Sequence, residues 1–308
     1  MPVEARSRRP ALSHRLAPYI LLLPAVALVL VAQGYPMLRQ LVMSFQEFGL
    51  AQQFGQPAEW VWLDNYAAII SDPYFWTVLL KSLAFCLWTA GFTMVIGLGI
   101  ALLMRAASSF ASVVMNVVLI VVWAMPLIAA LTVWQWLIDP NFGLVNYLLT
   151  GMGLSQFEGF SWLASSYWTF FIVASAVIVW ASIPLVTISI FAALTQVDDA
   201  QIEAAELDGA GYLKRLQHVI FPTVAPVVSL MAVLQIIWDL RVFTQIHVLQ
   251  QSGGISTETN LLGTYVYQVG ISQGDYGVAS ALAMIILLVT LIITSKYIHM
   301  LWTRGEIQ

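Results

Sequence analysis

The chain has 308 residues, of which 60% are apolar and 9% are charged, and its net charge is −4. Soluble domains carry about 25% charged residues, so this chain has too little polar surface to face water on all sides. The composition excludes an ordinary soluble domain and predicts a protein embedded in lipid. The single cysteine, Cys86, excludes an internal disulfide.

Six apolar runs are long enough for membrane-spanning helices, which need about 20 mainly apolar residues. Helices are expected rather than barrel strands, because a helix satisfies its own backbone groups in lipid and these runs are too long for strands. We therefore predict an all-α, polytopic membrane protein with six transmembrane helices in a domain over 18–301, between a tail at 1–17 and an end at 302–308. The runs are 18–45, 76–104, 113–138, 168–194, 223–249 and 278–301. Kinks are predicted at or near Pro24, Pro36, Pro126 and Pro184.

The charged residues predict the orientation of these helices. The loops 46–75, 139–167 and 250–277 contain no Lys or Arg. Lys and Arg favour the cytoplasmic side, so both termini are predicted to be cytoplasmic. The basic residues that carry this prediction are Arg6, Arg8, Arg9, Arg15, Arg105, Lys214, Arg215, Lys296 and Arg304.

Three basic residues near the outer ends of the runs, Arg39, Lys81 and Arg241, are expected to extend toward the interface. The N-terminus also permits a second interpretation. Its basic residues, apolar stretch and small residues at 25–27 could form a secretory signal peptide with a cleavage site. The apolar run continues well past residue 27, which favours an uncleaved helix.

The loop at 198–222 predicts a helix, a turn and a second helix. Asp198 or Asp199 can cap the first helix, and Gly209 and Gly211 end it. Pro222 is predicted to open the fifth spanning helix. A short helix with exposed acids and a small apolar surface can dock into a groove of another protein. From this local chemistry alone, an amphipathic connector on the membrane surface is an equal alternative.

The same loop resembles a known motif. Glu203-Ala204-Ala205 is followed after three residues by Gly209 and later by a hydrophobic segment ending in Pro222. This spacing is similar to the EAA loop of the permease subunits of bacterial ABC importers. Asp208 before Gly209 is the form usual among carbohydrate permeases. Nearly the whole chain resembles the maltose and glycerol-3-phosphate type. There are two departures: the usual Ile-x-Leu-Pro ending of the loop appears as Val219-Ile220-Phe221-Pro222, and Lys81 stands where an Asn is usual.

The resemblance implies a type I ABC importer permease fold in a bacterial cell membrane and a role in sugar uptake. It implies that the loop docks on a separate ATPase and that Glu203, Ala204, Ala205, Asp208, Gly209 and Pro222 carry the coupling. It also implies a second permease subunit, two ATPase subunits and an extracellular solute-binding protein. The chain has no G-x-x-x-x-G-K-[ST] motif, so we expect ATP and Mg to be bound by the ATPase partner. No catalytic residue, cofactor or metal is expected on this chain.

A candidate substrate path lies on two of the predicted helices. Gln235, Asp239 and Val242 recur at the i, i+4, i+7 spacing of one helix face, and Trp238 lies beside them. Ser182 lies on the fourth run. The resemblance implies that sugar contacts come from these two stretches, whereas packing between helices is an equal alternative. A different class remains possible, an ion-coupled secondary transporter or channel acting without an ATPase, although Asp239 is the one acid deep in a run.

Overall fold

A computed structural model of the chain describes the backbone of residues 12–303 and the side chains of residues 19–296. The side chains of Arg6, Arg8, Arg9, Arg15 and Arg304 lie outside these residues. The predicted tail and C-terminal end therefore stay predictions.

The described residues form helices and a short two-stranded antiparallel ladder, in which β1 (Gln46–Glu47) pairs with β2 (Glu59–Trp60). Turns of π-helix lie at Leu30–Gly34, Leu216–Ile220 and Gln268–Ser272, and a 3₁₀ turn lies at Ser155–Phe157. The α-helices are α1 (Leu12–Val29), α2 (Tyr35–Met43), α3 (Leu50–Gln53), α4 (Asp64–Ser71), α5 (Pro73–Ala106), α6 (Ser109–Ala124), α7 (Leu127–Leu137), α8 (Leu144–Gly151), α9 (Tyr167–Leu194), α10 (Asp199–Leu207), α11 (Tyr212–Arg215), α12 (Phe221–Leu240), α13 (Thr244–Gln251), α14 (Ser256–Thr259), α15 (Leu262–Tyr267) and α16 (Tyr276–Thr303).

Apolar helices of membrane-spanning length account for five of the six predicted runs, and a bent pair of shorter helices occupies the other. Within the described residues, five unbroken or gently interrupted stretches qualify, namely Tyr19–Met43, Pro73–Ala106, Tyr167–Leu194, Tyr212–Gln251 and Tyr276–Lys296. The sixth is a pair, Ser109–Trp123 and Leu127–Leu137, bent by 97°. The all-α, six-span prediction is confirmed, with the third span broken.

The break in the third span has a local cause at Pro126. A residue before proline is disfavoured in the α conformation, and Met125 is extended, with φ −68° and ψ 129°. The sequence predicted a kink here, and the structure shows two separate helices. At Pro24 and Pro184, by contrast, α1 and α9 continue without a break.

The fifth span differs from its prediction at both ends. Helical structure already begins at Tyr212 and passes through the π-turn Leu216–Ile220 into α12, so Pro222 does not open this helix. Proline lacks an N–H and crowds the carbonyl four residues earlier, and the widened turn precedes it directly. At the other end α12 stops at Leu240, because Arg241 leaves the helical conformation at φ −103° and ψ 12°.

The chain divides into two compact units, described separately. One contains the residues up to Ile69 together with Val269–Met284, and the other contains Ile70–Gln268 and the residues from Ile285 onward. In the first unit, Asn65 Nδ2 donates to the backbone oxygens of Ser44 and Gln46, both at 3.0 Å. These bonds hold the chain after α2 against α4.

In the second unit, α5, α9 and α12 pack against one another around two apolar clusters. One cluster surrounds Phe170 and Ile246, and the other surrounds Ile190 and Leu194, all of them fully buried. The α5–α9 contact is closest at Gly97, where a Cβ atom would lie 2.7 Å from Cγ1 of Val186. Small residues allow this approach between membrane helices.

Candidate coupling loop and translocation cavity

The loop between α9 and α12 is a capped helix followed by a tight turn. Oδ1 of Asp198 accepts the backbone N–H of Ala200 at 2.9 Å, so the N-cap is Asp198. At the other end, the N–H of Gly209 donates to Glu206 and the N–H of Ala210 donates to Ala205. This pair of bonds is the Schellman motif, in which the residue after the C-cap adopts a left-handed conformation. Gly209 does so, with φ +78°.

The predicted loop residues lie on one short, rigidly capped element. Glu203, Ala204 and Asp208 are exposed, and Ala205 is half-buried. Ile202 packs on the apolar cluster around Leu194. Helix α10 is thus attached through one side and presents its other side outward.

Three large apolar side chains of the loop are exposed among its polar residues. Leu207 is 90% exposed, Leu213 68% and Tyr212 57%. These residues with Ala204 are called the loop patch below. The patch lies on α10 and on α11, the short helix with which the stretch Tyr212–Gln251 begins. Clusters of exposed apolar side chains mark protein–protein or membrane interaction surfaces.

Two arginines hold the loop. Arg215 Nη1 lies 2.7 Å from Oε2 of Glu206 and joins α11 to α10. Arg105, at the end of α5, donates to the backbone oxygen of Leu194 and pairs with Asp199 at 3.0 Å. Pro222 is the second residue of α12 and is exposed. Pro222 therefore belongs to the spanning helix α12 and is not part of the loop patch.

The predicted path residues form a buried polar network. Nε2 of Gln235 donates to Oδ1 of Asp239 at 2.8 Å and to Oγ of Ser182 at 3.1 Å. Gln235 is 1% exposed and Asp239 is 4% exposed. Three of the four predicted path residues are therefore in direct contact across α9 and α12.

A cavity of about 370 Å³ lies beside this network. Its wall includes Ser182, Trp238, Asp239, Arg241 and Trp123. Trp238 is 51% exposed, so its ring is available to a guest. Because α12 ends at Leu240, Val242 does not continue the predicted stripe, and Arg241 lines the same cavity as Asp239. On a continuous helix, residues two positions apart would face apart, so the end of α12 at Leu240 explains why Arg241 and Asp239 line one cavity.

Two of the basic residues near the predicted outer ends of the spanning runs, Lys81 and Arg39, make specific contacts. Lys81 Nζ donates to the backbone oxygen of Glu258 and lies 5.4 Å from the ring centre of Tyr167. The guanidinium of Arg39 lies 5.3 Å from the ring centre of Phe48. Lys81 thus ties α5 to the chain at Glu258.

Residues 93–302 match the family described as binding-protein-dependent transport system inner membrane component. The chain belongs to this family. It is a permease, the membrane component of a transport system, and not an enzyme.

Two curated relatives extend the match over almost the whole permease. The diacetylchitobiose uptake system permease protein DasB of Streptomyces coelicolor is 35% identical over 98% of this chain and 91% of its own length. The sulfoquinovosyl glycerol transport system permease protein SmoG of Agrobacterium fabrum is 31% identical over 95% of this chain and 92% of its own.

The fold of the permease is also that of a solved importer. A chain of the bacterial alginate ABC transporter, crystallised with a periplasmic protein bound to alginate pentasaccharide, superposes with a TM-score of 0.79 and 20% identity. The match covers 94% of this chain and 95% of the other. The predicted type I ABC importer permease fold is thereby confirmed.

Sequence analysis missed several functional candidates of the permease. Trp123 lies just before the break at Pro126 and lines the cavity. The role of Arg105 depends on contacts with residues 89 and 94 positions later. The exposure of Leu207, Tyr212 and Leu213 is seen only in the folded loop. Large apolar residues in a loop predicted to be cytoplasmic could nevertheless have indicated a contact surface.

Proposed function

We propose that this chain is one of two permease subunits of an ATP-driven importer that carries a sugar into the cell. The cargo class is a di- or oligosaccharide or a related polyol or glycerol phosphate. The second permease subunit, two ATPase subunits and an extracellular solute-binding protein complete the system. ATP and Mg are bound by the ATPase subunits, and no cofactor binds to this chain.

One observation carries the coupling part of this proposal, namely an exposed apolar patch on a firmly capped helix. Burial of a leucine side chain stabilises an association by about 1.5–3 kcal/mol, so Leu207 alone supplies a large part of a docking contact. Glu203 and Asp208 flank the patch and supply charge. Because α10 is capped at both ends, a force on the patch moves the helix as one piece.

The proposed orientation places this loop in the cytoplasm, with both termini on the same side. The loops on the other side carry acids and no Lys or Arg, as the positive-inside rule requires. An ATPase and its nucleotide pool lie in the cytoplasm, so the orientation and the coupling role support each other.

The choice of a sugar rests on the relatives and on the cavity. DasB is a permease of a diacetylchitobiose uptake system, and SmoG is a permease of a sulfoquinovosyl glycerol transport system. Sugars are bound by hydrogen-bonding groups together with an aromatic face. Asp239 and Ser182 line the cavity and supply the polar groups, the buried Gln235 hydrogen-bonds to both of them, and Trp238 supplies the ring.

Alanine at Asp239 or Gln235 is expected to lower uptake at least about tenfold, because a buried polar group left without its partner costs about 1–3 kcal/mol. Alanine at Trp238 should lower uptake by a similar factor through loss of the stacking face. Alanine at Trp168, which is 72% exposed but does not line the cavity, is the matched control. Uptake is measured in vesicles at equal permease content. Unchanged uptake in the first three variants would show that the partner permease holds the sugar.

An ion-coupled secondary transporter or channel is the alternative function. It transports when expressed alone and retains no ATPase. The discriminating experiment is purification of the tagged chain from mild detergent after expression with its neighbouring transport genes. We expect an ATPase and a second permease to be retained, and uptake to require ATP. Uptake by the chain alone, with no ATPase retained, would contradict the proposed function.

A further inference from the structure

Arg105 connects three elements at the end of the second spanning helix. It lies in the last turn of α5, and its side chain is 22% exposed. Nη1 donates to the backbone oxygen of Leu194, the last residue of α9. Nη2 lies 3.0 Å from Oδ1 of Asp199, the first residue of α10. One side chain thus ties α5 to the end of α9 and to the start of α10.

The two contacts of Arg105 differ in strength. The carbonyl of Leu194 belongs to the last turn of α9, where carbonyls lack partners within the helix, and its other bond is a long one of 3.3 Å from the N–H of Val197. Leu194 is fully buried, so the bond is shielded from water on one side, and a charged donor strengthens it. Asp199 is 86% exposed, and an ion pair with such a partner contributes little by itself. The bond to Leu194 is therefore the main anchor, and Asp199 guides the approach of α10.

Helix α10 has few other attachments to the membrane-spanning helices. None of its residues is fully buried, and Ile202 is the side chain that packs on the cluster around Leu194. The chain from Thr195 to Asp198 provides the covalent route. On its other side, residues 208–211 connect α10 to α11, and Glu206 pairs with Arg215. A displacement of α10 can therefore pass inward through either connecting chain, through Ile202, through Arg215 or through Arg105.

The Arg105 route leads to the walls of the cavity. Helix α5 packs against both α9 and α12, which carry Ser182, Gln235 and Asp239. Sγ of Cys86 on α5 lies 3.3 Å from the backbone oxygen of Ile236 on α12. A movement of α5 therefore reaches α9 and α12 together, whereas the covalent routes from α10 lead separately to the end of α9 and, through α11, to the start of α12.

We propose that Arg105 is a positioning residue that transmits the movement of α10 to α5, so that α5, α9 and α12 move together when the ATPase acts. The proposal rests on the proposed function, because it requires an ATPase on the loop patch. Arg105 touches neither the sugar nor the nucleotide.

The test compares uptake per ATP hydrolysed in the reconstituted complex. Arg105→Met removes every donor at similar size, and we expect assembly and basal ATP hydrolysis to be retained while uptake per ATP falls about tenfold. Arg105→Gln keeps one donor for the carbonyl of Leu194 but loses the charge, so it should lower uptake per ATP by less than Arg105→Met does. Asp199→Asn should lower uptake per ATP by less than about twofold, because the ion pair that it weakens is exposed on the Asp199 side. Lys296→Met removes the same charge from an exposed position on α16 and should behave as wild type.

Three outcomes decide the proposal. Normal uptake per ATP in Arg105→Met would overturn it. If that variant fails to assemble, Arg105→Gln decides, and normal uptake per ATP in this assembled variant would overturn the proposal as well. If the wild-type chain retains no ATPase, the proposed function itself fails and not the role of Arg105 alone.

Discussion

Valine in place of Gly209 is expected to abolish uptake while the protein still inserts into the membrane and pairs with its second permease subunit. Gly209 has φ +78°, in the left-handed region. A residue with a Cβ atom loses roughly 1–2 kcal/mol there, and a β-branched residue is the least tolerated of all. The Schellman turn would open, and α10 would lose the orientation that presents the loop patch. The measurement is uptake at equal membrane content of the permease.

Two matched variants separate backbone strain from crowding at Gly209. No atom lies within 4 Å of a Cβ built at Gly209 or at Gly211, so neither position is sterically crowded. Gly209→Asn should retain most uptake, because asparagine tolerates the left-handed conformation. Gly211→Ala should be near wild type, since Gly211 has φ −64°. Equal loss in all three variants would refute the turn as the cause.

Valine in place of Gly97 is expected to destabilise the permease and to lower its yield and uptake together. A Cβ atom at this position would lie 2.7 Å from Cγ1 of Val186 and 3.2 Å from its Cβ. Val186 is 2% exposed and sits in a stiff β-branched rotamer, so it cannot move aside. Overpacking of this kind costs about 1–3 kcal/mol, and the damage falls on the α5–α9 contact. Thermal unfolding in detergent measures the loss.

The controls use the same substitution nearby and a compensating one. Gly99→Val adds the same side chain to α5 at a position with open space and should leave the melting temperature nearly unchanged. Gly97→Ala combined with Val186→Ala should recover stability relative to Gly97→Ala, because the smaller residue makes room. An equal effect of valine at 97 and 99 would show that the close approach is not responsible.

The spans and the capped loop were predictable because they depend on local sequence. Apolar runs of the right length give helices in lipid wherever they occur. Asp198 and Gly209 act within one or two turns of their own helix, so their roles follow from spacing. The cytoplasmic placement of the loop came from the distribution of Lys and Arg and stays a prediction.

The features that escaped prediction depend on contacts between distant residues or on weak local signals. Helix α12 ends at Leu240 without a Gly or Pro near it, so the sequence favoured a helix continuing past Val242. A proline predicts a disturbance but not its size, and Pro126 gave a 97° bend where Pro184 left α9 unbroken. The bond between Gln235 and Ser182 joins residues 53 positions apart. The helical periodicity assigned Gln235 and Ser182 to their helices but could not predict the hydrogen bond between them.

The role of the loop patch as the ATPase dock is tested most directly by purifying tagged variants and measuring the ATPase retained. Leu207→Asp buries a charge in the proposed contact, so we expect at least about thirtyfold less ATPase, with the second permease still retained. Phe142→Asp places the same charge on a residue that is 69% exposed in a loop predicted to face outward, and it should retain ATPase fully. Wild-type retention by Leu207→Asp would contradict docking through this loop.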